Sequence, residues 1–437
     1  MKYLRFIIAA AAIGAFVSLS AAAGKEQASD PTATHYSTTE CLGSARPYPV
    51  PEGLAEVPDS LTPIFLNHVG RHGARYLSSA APSVKLAEKL AKADSAGTLT
   101  ATGREVLALV RGIIGISHNR WGALDSLGMA EQRGIATRML RSYPRLFGAG
   151  NKVEAISSYS PRCVMSMYEF THQLDRLDNE IEIYTSSGRQ NSLLMRPFDV
   201  VGDFVEWYKA KPWQGIYDMF FETTAPAAPG RRFVSAKGEE LSHGEAAALS
   251  WEVYFVLRGL PAMGMDFDLG KYFKSDELNA LWACEDLGHY LKRSASTLST
   301  EPADVAVALL QDLISTADAA AEGKADATVQ LRFGHAETLM PLLSLMHLRG
   351  CYYLTNYFDT VALHWRDFDI VPMAANLQMV LFKTAKGRVY VRFALNERAV
   401  PLMPDSDDTV IPWSVARNYL LRCLPTVSYT HLTLPTT

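Results

Sequence analysis

The sequence predicts an α/β fold in which a doubly wound sheet domain is interrupted by a block of helices. Short apolar strands alternate with helical patterns over residues 47–197 and again over residues 326–426. Such alternation is typical of α/β domains. Between these parts, residues 198–325 have mainly helical spacing and several tryptophans. We therefore expect one α/β domain in two parts, with an inserted α-helical domain.

The elements of the first part follow from apolar spacing and turn residues. We expect, in chain order, a strand over residues 63–68, helices over 84–93, 104–114 and 127–145, a strand over 153–158, a helix from Pro161 and a strand over 181–184. Proline is tolerated in the first turn of a helix, so Pro161 marks a helix start.

The second part begins where the helical pattern ends. We expect a strand over residues 329–333, a helix over 339–346, and strands over 377–382 and 388–393. Thr384-Ala385-Lys386-Gly387 joins the last two strands, and a short connection containing glycine predicts a β-hairpin.

Both ends of the chain fall outside the expected domain. Residues 1–23 have a basic start, an apolar run and small residues, which predicts a cleaved secretory signal. A membrane anchor is the alternative, but the apolar run is short for a membrane span. Residues 24–46 are expected to be a flexible leader. Residues 427–437 resemble a translated sequencing adapter, with an ordinary disordered terminus as the alternative. We therefore expect an exported protein, periplasmic or extracellular, without stable membrane insertion.

Composition narrows the classes of partner and cofactor. The chain has 437 residues, 48% of them hydrophobic, and a net charge of −4. This charge argues against general nucleic-acid binding. The five cysteines are widely spaced without a CxxC pair, so a structural zinc site is not expected. Export would permit disulfides, but the spacing assigns no pairs, and buried free thiols are the alternative.

The segment Arg71-His72-Gly73-Ala74-Arg75, called the pentad below, follows the first expected strand. Guanidinium groups match phosphate oxygens as planar donors. Nearby positive charge disfavours protonation of an imidazole, and a neutral imidazole is a nucleophile. The pentad therefore predicts a phosphatase that forms a phosphohistidine on His72. For a lone histidine, a packing role would be the simpler interpretation.

Arg162, His335 and Glu337 follow two other expected strands. Sites in open α/β sheets form beyond the carboxyl ends of strands, so these side chains are expected to meet the pentad. Arg162 would add a phosphate donor, and His335 would add another if its ring were protonated. Glu337 would start protonated and act as general acid for the leaving alcohol, although an acidic residue also suits the first turn of a helix. No metal is expected, because the arginines supply the positive charge.

These motifs together resemble the histidine acid phosphatases, the second branch of the histidine phosphatase superfamily. The last motif of that family is most often His-Asp, whereas His335-Ala336-Glu337 resembles the multiple inositol-polyphosphate phosphatases. The similarity covers residues 47–425 and includes the segments at 194–199, 281–284 and 372–376. It implies an α/β phosphatase domain with an α-helical cap and the active site in the cleft between them.

The same resemblance implies metal-free hydrolysis of phytate and lower inositol phosphates. By position, His72 matches the nucleophile and Glu337 the proton donor. The residues that match the phosphate pocket are Arg71, Arg75, Arg162 and His335. A broad acid or sugar-phosphate phosphatase with the same site is the alternative, and a non-catalytic polyanion binder is a third possibility.

Other polar residues have open roles in the sequence. Ser160 and Ser166 could hold Arg162 or touch phosphate, or Ser160 could cap a helix. His68 is expected to be structural. Several cations could surround the pocket or be ordinary surface charges: Arg189, Arg196, Lys209, Lys211, Arg231, Arg232 and Lys237.

Overall fold

A mixed β-sheet forms the centre of the fold in the computed structural model, which describes residues 35–235 and 240–425. The expected signal (1–23), the first part of the expected leader and the terminal segment (427–437) lie outside the described residues. The strands are β1 (Leu61–Arg71), β2 (Lys152–Ser157), β3 (Glu182–Ser187), β4 (Val329–Gly334), β5 (Asn376–Thr384), β6 (Val389–Leu395), β7 (Arg398–Val400) and β8 (Val410–Pro412).

The strand order is β3-β2-β4-β1-β5-β6-β7, and β8 pairs with β6. The first four strands of this order are parallel to one another, whereas β5 is antiparallel to β1 and β6 is antiparallel to β5. The expected hairpin of β5 and β6 is therefore confirmed. β1 is longer than expected because it pairs along one edge with β4 up to Arg71 and along the other with β5 from Leu61.

Helices connect these strands and make up most of the rest of the described chain. They are α1 (Ala81–Ser95), α2 (Ala101–Ile116), α3 (Ser126–Ser142), α4 (Pro161–Leu177), α5 (Ser192–Met195), α6 (Pro197–Val200), α7 (Gly202–Ala210), α8 (Gln214–Thr224), α9 (Ala228–Phe233), α10 (His243–Leu257), α11 (Ser275–Arg293), α12 (Glu301–Asp304), α13 (Val307–Ala321), α14 (Ala336–Leu345), α15 (Val361–His364), α16 (Asp367–Ile370) and α17 (Trp413–Cys423). The α/β class predicted from the sequence is confirmed.

Both faces of the sheet are covered by helices. In β1, Phe65 joins the core formed with α13, α14 and α17, whereas Leu66 joins the core formed with α3 and α4. Neighbouring residues of a strand point to opposite faces, so one strand contributes to two cores. This burial on both faces explains why the apolar residues Ile64, Phe65 and Leu66 follow one another in β1 without alternating with polar residues.

A second group of helices packs away from the sheet and forms the helical cap. Its core joins Leu86 of α1, Val106 of α2, Val253 of α10 and Leu281 of α11. The cap differs from the expected insertion over 198–325 in two ways. It includes α1 and α2 from the first part of the chain, and α13 packs on the sheet instead.

The expected leader is also shorter than residues 24–46. A short 3-10 helix covers Glu40–Ala45, and Tyr36, Cys41 and Leu42 are buried in the core of the cap. Residues 36–45 are therefore part of the folded domain. Their few apolar side chains are sufficient to anchor a segment whose composition is otherwise small and polar.

Two glycines let the pentad loop pack directly on α3. A Cβ atom on Gly73 would lie 2.4 Å from the backbone oxygen of Gly128, and a Cβ atom on Gly128 would lie 2.1 Å from that of Ala74. Neither position has room for a side chain, so the glycine of the pentad is required by the packing of two backbones.

Gly128→Ala is expected to destabilise the protein by about 1–3 kcal/mol, because the added methyl group forces two backbones apart. Gly112→Ala is the matched control, since nothing lies within 4 Å of a Cβ atom at that helical position. That variant should be about 0.5–1 kcal/mol more stable than the wild type. Urea denaturation of both variants measures the difference, and equal stabilities would contradict the close approach.

Candidate active site

Three parallel strands end at the same edge of the sheet and bring the predicted residues together. Arg71, the last residue of β1, pairs with Gly334, the last residue of β4. Ser157 at the end of β2 pairs with Phe333. The rings of His72 and His335, which follow β1 and β4, are 5.7 Å apart. The expected meeting of these segments therefore occurs at the carboxyl ends of the strands.

His72 is buried, with 2% of its surface exposed. Its Nδ1 lies 2.9 Å from the carbonyl oxygen of Gly73. A carbonyl only accepts hydrogen bonds, so this contact places the proton on Nδ1 and leaves a lone pair on Nε2. Burial, and then the charges of Arg71, Arg162 and Arg75, hold the pKa of His72 well below its usual range. The imidazole is therefore neutral, as the sequence predicted.

The three arginines keep free donors in this site. Nη1 of Arg71 donates to the carbonyl oxygens of Ser44 and Val371. Nη1 of Arg75 donates to the carbonyl oxygen of Tyr76 at 2.8 Å. Nε of Arg71, Arg75 and Arg162 is buried without a hydrogen-bond partner in the described chain. Buried charged donors are normally paired, and a tetrahedral oxyanion would pair them.

His335 lies among donors that favour its neutral form. Nη2 of Arg162 lies 3.3 Å from its Nδ1, and Nη1 of Arg196 lies 2.9 Å from its Nε2. Ser158 Oγ is 3.0 Å from the same Nε2. The pKa of His335 is lowered to about 3, first by burial and then by the charges of Arg162, Arg196 and Arg71. The negative charge of Glu337 acts in the opposite direction and raises this pKa. His335 is therefore neutral, so its ring has one N–H group and lacks the second that a protonated ring would offer to phosphate.

Glu337 lies half-buried in the first turn of α14. Burial alone would raise the pKa of its carboxyl group, but Arg293, His335, a backbone amide and Arg71 together hold the pKa at about 2. The expectation that Glu337 starts protonated is therefore wrong for this arrangement. The Glu337 carboxylate lies near the positive charges of Arg293 and Arg71. An anion bound beside these arginines would offset part of their charge and thereby raise the pKa of Glu337.

Residues around the pentad hold its backbone in place. Ser166 Oγ accepts a hydrogen bond from the Gly73 amide at 3.1 Å, so this hydroxyl is committed to the loop. Glu131 accepts from the Ala74 amide at 2.7 Å, and Gln132 donates to the Arg71 carbonyl at 3.0 Å. Ser160 precedes α4 but its side chain makes no capping bond, so the capping role considered for it is not observed.

Sequence reasoning missed the roles of Arg293 and Ser158, and it placed Arg196 only among possible surrounding cations. Arg196 stacks on Phe198 at 4.9 Å, and Arg293 lies 5.6 Å from the same ring. Phe198 also packs its ring against His335 at 5.8 Å. Arg196 also donates to Asp199 at 2.6 Å, so an ion pair and stacking on an aromatic face both hold its guanidinium. The run 194–199 was the available signal, because it contains both Arg196 and Phe198.

The other candidate cations have different surroundings. Arg189 stacks on Tyr159 at 4.6 Å, next to Arg196 on the same ring. Lys209 pairs with Glu206, and Arg232 pairs with Glu277. Lys237 lies outside the described residues. Like Arg196, Arg189 is therefore a candidate cation that lies near the site.

A buried acidic group lies behind Arg71. Within residues 35–235 and 240–425, Glu285, His289 and Asp367 are close enough to hold a metal ion. Each carboxylate already has protein partners, since Glu285 pairs with Arg258 and Asp367 accepts from Trp282 at 2.9 Å and from His289 at 2.8 Å. This group is therefore explained as a charge network between the cap and the segment before β5.

Two observations concern the wider chain. All five cysteines are free thiols, so the alternative of unpaired cysteines is the one observed. In the described part of the chain, no helix combines the length and the apolar character that crossing a membrane requires.

Comparison with known proteins gives matches in sequence and in fold. No protein-family model matches the chain. Multiple inositol polyphosphate phosphatase 1 of Homo sapiens is 28% identical over 415 residues, covering 86% of this chain and 82% of the human protein. The protein of the same name from Gallus gallus is 26% identical over 394 residues, covering 84% and 83%.

Two solved structures share the fold at low sequence identity. The Bifidobacterium longum multiple inositol polyphosphate phosphatase in complex with inositol hexasulfate has a TM-score of 0.71 and 17% identity, covering 89% of this chain and 99% of its own. The phytase from D. castellii has a TM-score of 0.72 and 17% identity, covering 91% and 88%.

The chain therefore has the same α/β fold as these two solved phosphatases, and its candidate site lies at the carboxyl ends of the strands. Among such proteins, the chain resembles the multiple inositol polyphosphate phosphatases in sequence as well as in fold. The expected similarity is confirmed.

His68 has the structural role expected of it, and it couples folding to pH. It is buried between Phe170 and Phe333, each with its ring 5.3 Å away. Burial, with a smaller effect of Arg332, lowers the pKa of His68 to about 3. Because the ordinary pKa is 6.5, the unfolded chain binds a proton here that the folded chain does not bind between these values. Stability is therefore lost as the pH falls through this range.

His68→Leu should reduce that loss, because leucine has no proton to bind. Between pH 8 and pH 4, the free energy of unfolding of the wild type should fall by about 3 kcal/mol more than that of the variant. The other buried histidines are present in both proteins and cancel in the comparison. Urea denaturation at the two pH values measures the difference, and parallel pH profiles would contradict the assignment.

Proposed function

We propose that the protein is a phosphoric monoester hydrolase that acts on inositol polyphosphates, both phytate and lower inositol phosphates. The observation on which this rests is a neutral, buried His72 with a free Nε2 beside three guanidinium groups that have unpaired donors. The sequence similarity to inositol polyphosphate phosphatases supports the substrate class.

In the first step, Nε2 of His72 attacks the phosphorus atom. Arg71, Arg75 and Arg162 donate to the phosphoryl oxygens and stabilise their charge in the transition state. The bond from phosphorus to the ester oxygen breaks as the nitrogen–phosphorus bond forms, and Glu337 gives its proton to the departing alcohol. The products are the alcohol and a phosphohistidine.

The substrate itself prepares Glu337 for this role. The positive charges of Arg293 and Arg71, together with a backbone amide, keep the pKa of Glu337 well below its usual range against the effect of burial. A bound phosphate group offsets this positive charge, so the pKa of Glu337 rises when the substrate binds. The carboxyl group can then take up the proton that the leaving group requires.

In the second step, water attacks the phosphorus atom of the phosphohistidine. The Glu337 carboxylate accepts a proton from this water, and the nitrogen–phosphorus bond breaks. Its electron pair returns to Nε2 of His72, which restores the neutral imidazole. Inorganic phosphate then leaves, and the first step can begin again.

We also propose that the protein is exported to the periplasm or the medium. The support is the basic start, the apolar run and the small residues of the first 23 positions. Phytate is a polar polyanion that does not cross membranes unaided, so an exported enzyme would meet it outside the cytoplasm.

His72→Ala should reduce turnover of phytate by at least about 10⁴-fold, because no other group supplies the nucleophile. Released phosphate and the lower inositol phosphates measure the reaction. The wild type should also use phytate at a higher kcat/KM than phenyl phosphate. The opposite preference would favour the broad acid or sugar-phosphate phosphatase, and binding of phytate without turnover would favour the polyanion binder.

Glu337→Gln should slow phytate hydrolysis by about 10²–10⁴-fold, the usual contribution of a general acid. It should slow hydrolysis of 4-nitrophenyl phosphate much less, because nitrophenolate leaves without a proton. Single-turnover rates for the two substrates measure this contrast. Equal losses for both leaving groups would remove Glu337 from the proton-donor role.

A further inference from the structure

Two carbonyl oxygens from distant parts of the chain hold the guanidinium group of Arg71. Its Nη1 donates to the carbonyl oxygen of Ser44 at 2.6 Å and to that of Val371. Within the described chain its Nε has no hydrogen-bond partner, so this donor remains for a phosphoryl oxygen. Because a guanidinium group is planar and rigid, the two carbonyl oxygens on one side determine where its remaining donors point.

Both of these acceptors are held by one residue, Asp367 at the start of α16. Oδ2 of Asp367 accepts a hydrogen bond from the Ser44 amide at 3.1 Å. The backbone carbonyl oxygen of Asp367 accepts one from the Val371 amide at 2.8 Å. Asp367 therefore fixes the Ser44 acceptor with its side chain and the Val371 acceptor with its backbone, and Arg71 binds to both.

The cap holds the Asp367 side chain in turn. This residue has no exposed surface. Its Oδ1 accepts from the indole of Trp282 at 2.9 Å, and its Oδ2 lies 2.8 Å from Nδ1 of His289. Both of these donors belong to α11. The carboxylate cannot turn to another rotamer without losing these hydrogen bonds, so α11 of the cap is linked to Arg71 through Asp367 and Ser44.

Asp367 carries a negative charge in this network. Burial alone would raise the pKa of Asp367, but the hydrogen bonds from His289 and Trp282 hold it below its usual range. Burial and the charge of Asp367 raise the pKa of Asp286 well above its usual range, so Asp367 is the ionised member of this pair. Burial also lowers the pKa of Arg71 to about 10, and the charge of Asp367 acts against that effect. The carboxylate thus supports both the position and the charge of Arg71.

We propose that Asp367 is a positioning residue, which holds Arg71 in the orientation that binds the phosphoryl group attacked by His72. The inference rests on the proposed function, because it concerns a donor of the proposed transition state. Since Asp367 is completely buried, it acts through Ser44 and Arg71 and does not contact the substrate. An error of about 1 Å in the placement of a group in an active site can reduce a rate about 10²-fold, so loss of this support has a kinetic effect.

Asp367→Ala should reduce kcat/KM about 10-fold to 100-fold, because the Ser44 amide loses its acceptor and Arg71 loses its support. The reduction should be the same for phytate and for 4-nitrophenyl phosphate, since Arg71 binds the phosphoryl group and not the leaving group. Circular dichroism shows whether the variant is folded. Wild-type kcat/KM in the folded variant, or a loss confined to phytate, would overturn the proposal.

A double-mutant cycle separates positioning from a general loss of structure. Asp367→Ala should reduce kcat/KM for 4-nitrophenyl phosphate at least about tenfold in the wild type, but less than about twofold in a protein that already carries Arg71→Ala. Two residues that act through one contact have non-additive effects. Equal reductions in the two backgrounds would show that Asp367 does not act through Arg71.

Trp282→Phe is the matched control for the stability of the network. It removes another buried donor to Asp367 and should destabilise the protein, but the Ser44 amide keeps its acceptor. Its kcat/KM should therefore stay within about twofold of the wild type. A loss as large as that of Asp367→Ala would attribute the effect to reduced stability and contradict a positioning role.

Gly43→Ala tests the same link and leaves Asp367 in place, so the proposal can be tested even if Asp367→Ala does not fold. Gly43 has a φ of +57°, and a Cβ atom there would lie 3.1 Å from Oδ2 of Asp367. The methyl group should displace the neighbouring Ser44 and reduce kcat/KM at least about fivefold for both substrates. Wild-type rates in the folded variant would overturn the link through Ser44.

Binding of inorganic phosphate distinguishes failure of this inference from failure of the proposed function. Calorimetric titration should show at least about fivefold weaker phosphate binding in Asp367→Ala than in the wild type. If the wild type failed to hydrolyse phytate while this weakening was observed, the proposed function would fall and the positioning role of Asp367 would stand. Phytate turnover and phosphate binding that are both unaffected by Asp367→Ala would give the reverse conclusion.

Discussion

The site depends on one constraint, which is the burial of positively charged arginines at the carboxyl ends of the strands. Arg71 is almost completely buried at the end of β1. Burying a charge without partners costs several kcal/mol, so the fold must supply acceptors. The carbonyl oxygens of Ser44 and Val371 do so. The segment before β1 and the segment before β5 are thereby tied to one guanidinium, which adds to the burial of Tyr36, Cys41 and Leu42 in holding residues 36–45 in the folded domain.

The same charge determines the state of the histidines. An ordinary imidazole becomes protonated near pH 6.5 and then has no lone pair for attack. Burial and the surrounding arginines keep the pKa of His72 well below that value, so the nucleophile persists in acid. Its hydrogen bond to the Gly73 carbonyl further decides which nitrogen is free. The packing of Gly73 on Gly128 fixes this carbonyl, so a contact between two backbones sets the chemistry of a side chain.

Local patterns were sufficient to predict the part of the site that follows strand ends. The pentad, Arg162 and His335 each come directly after an apolar strand, and parallel strands bring such positions together. Arg293 could not be predicted in the same way, because it reaches the site by stacking on Phe198 across a tertiary contact. The sequence also did not determine which core each helix would join. The apolar spacing of α13, for example, would be the same whether this helix packed on the cap or on the sheet.

The protonation of Glu337 shows the limit of assigning chemistry to residues one at a time. A general acid was expected to hold its proton beforehand, but the cations proposed to bind phosphate also stabilise the Glu337 carboxylate. Both effects come from one electrostatic field. In the mechanism proposed above, a phosphate group in the pocket offsets the field, weakens the stabilisation of the carboxylate and raises its pKa. The arginines would thus couple substrate binding to proton uptake, so that the acid forms where a leaving group is present to receive its proton.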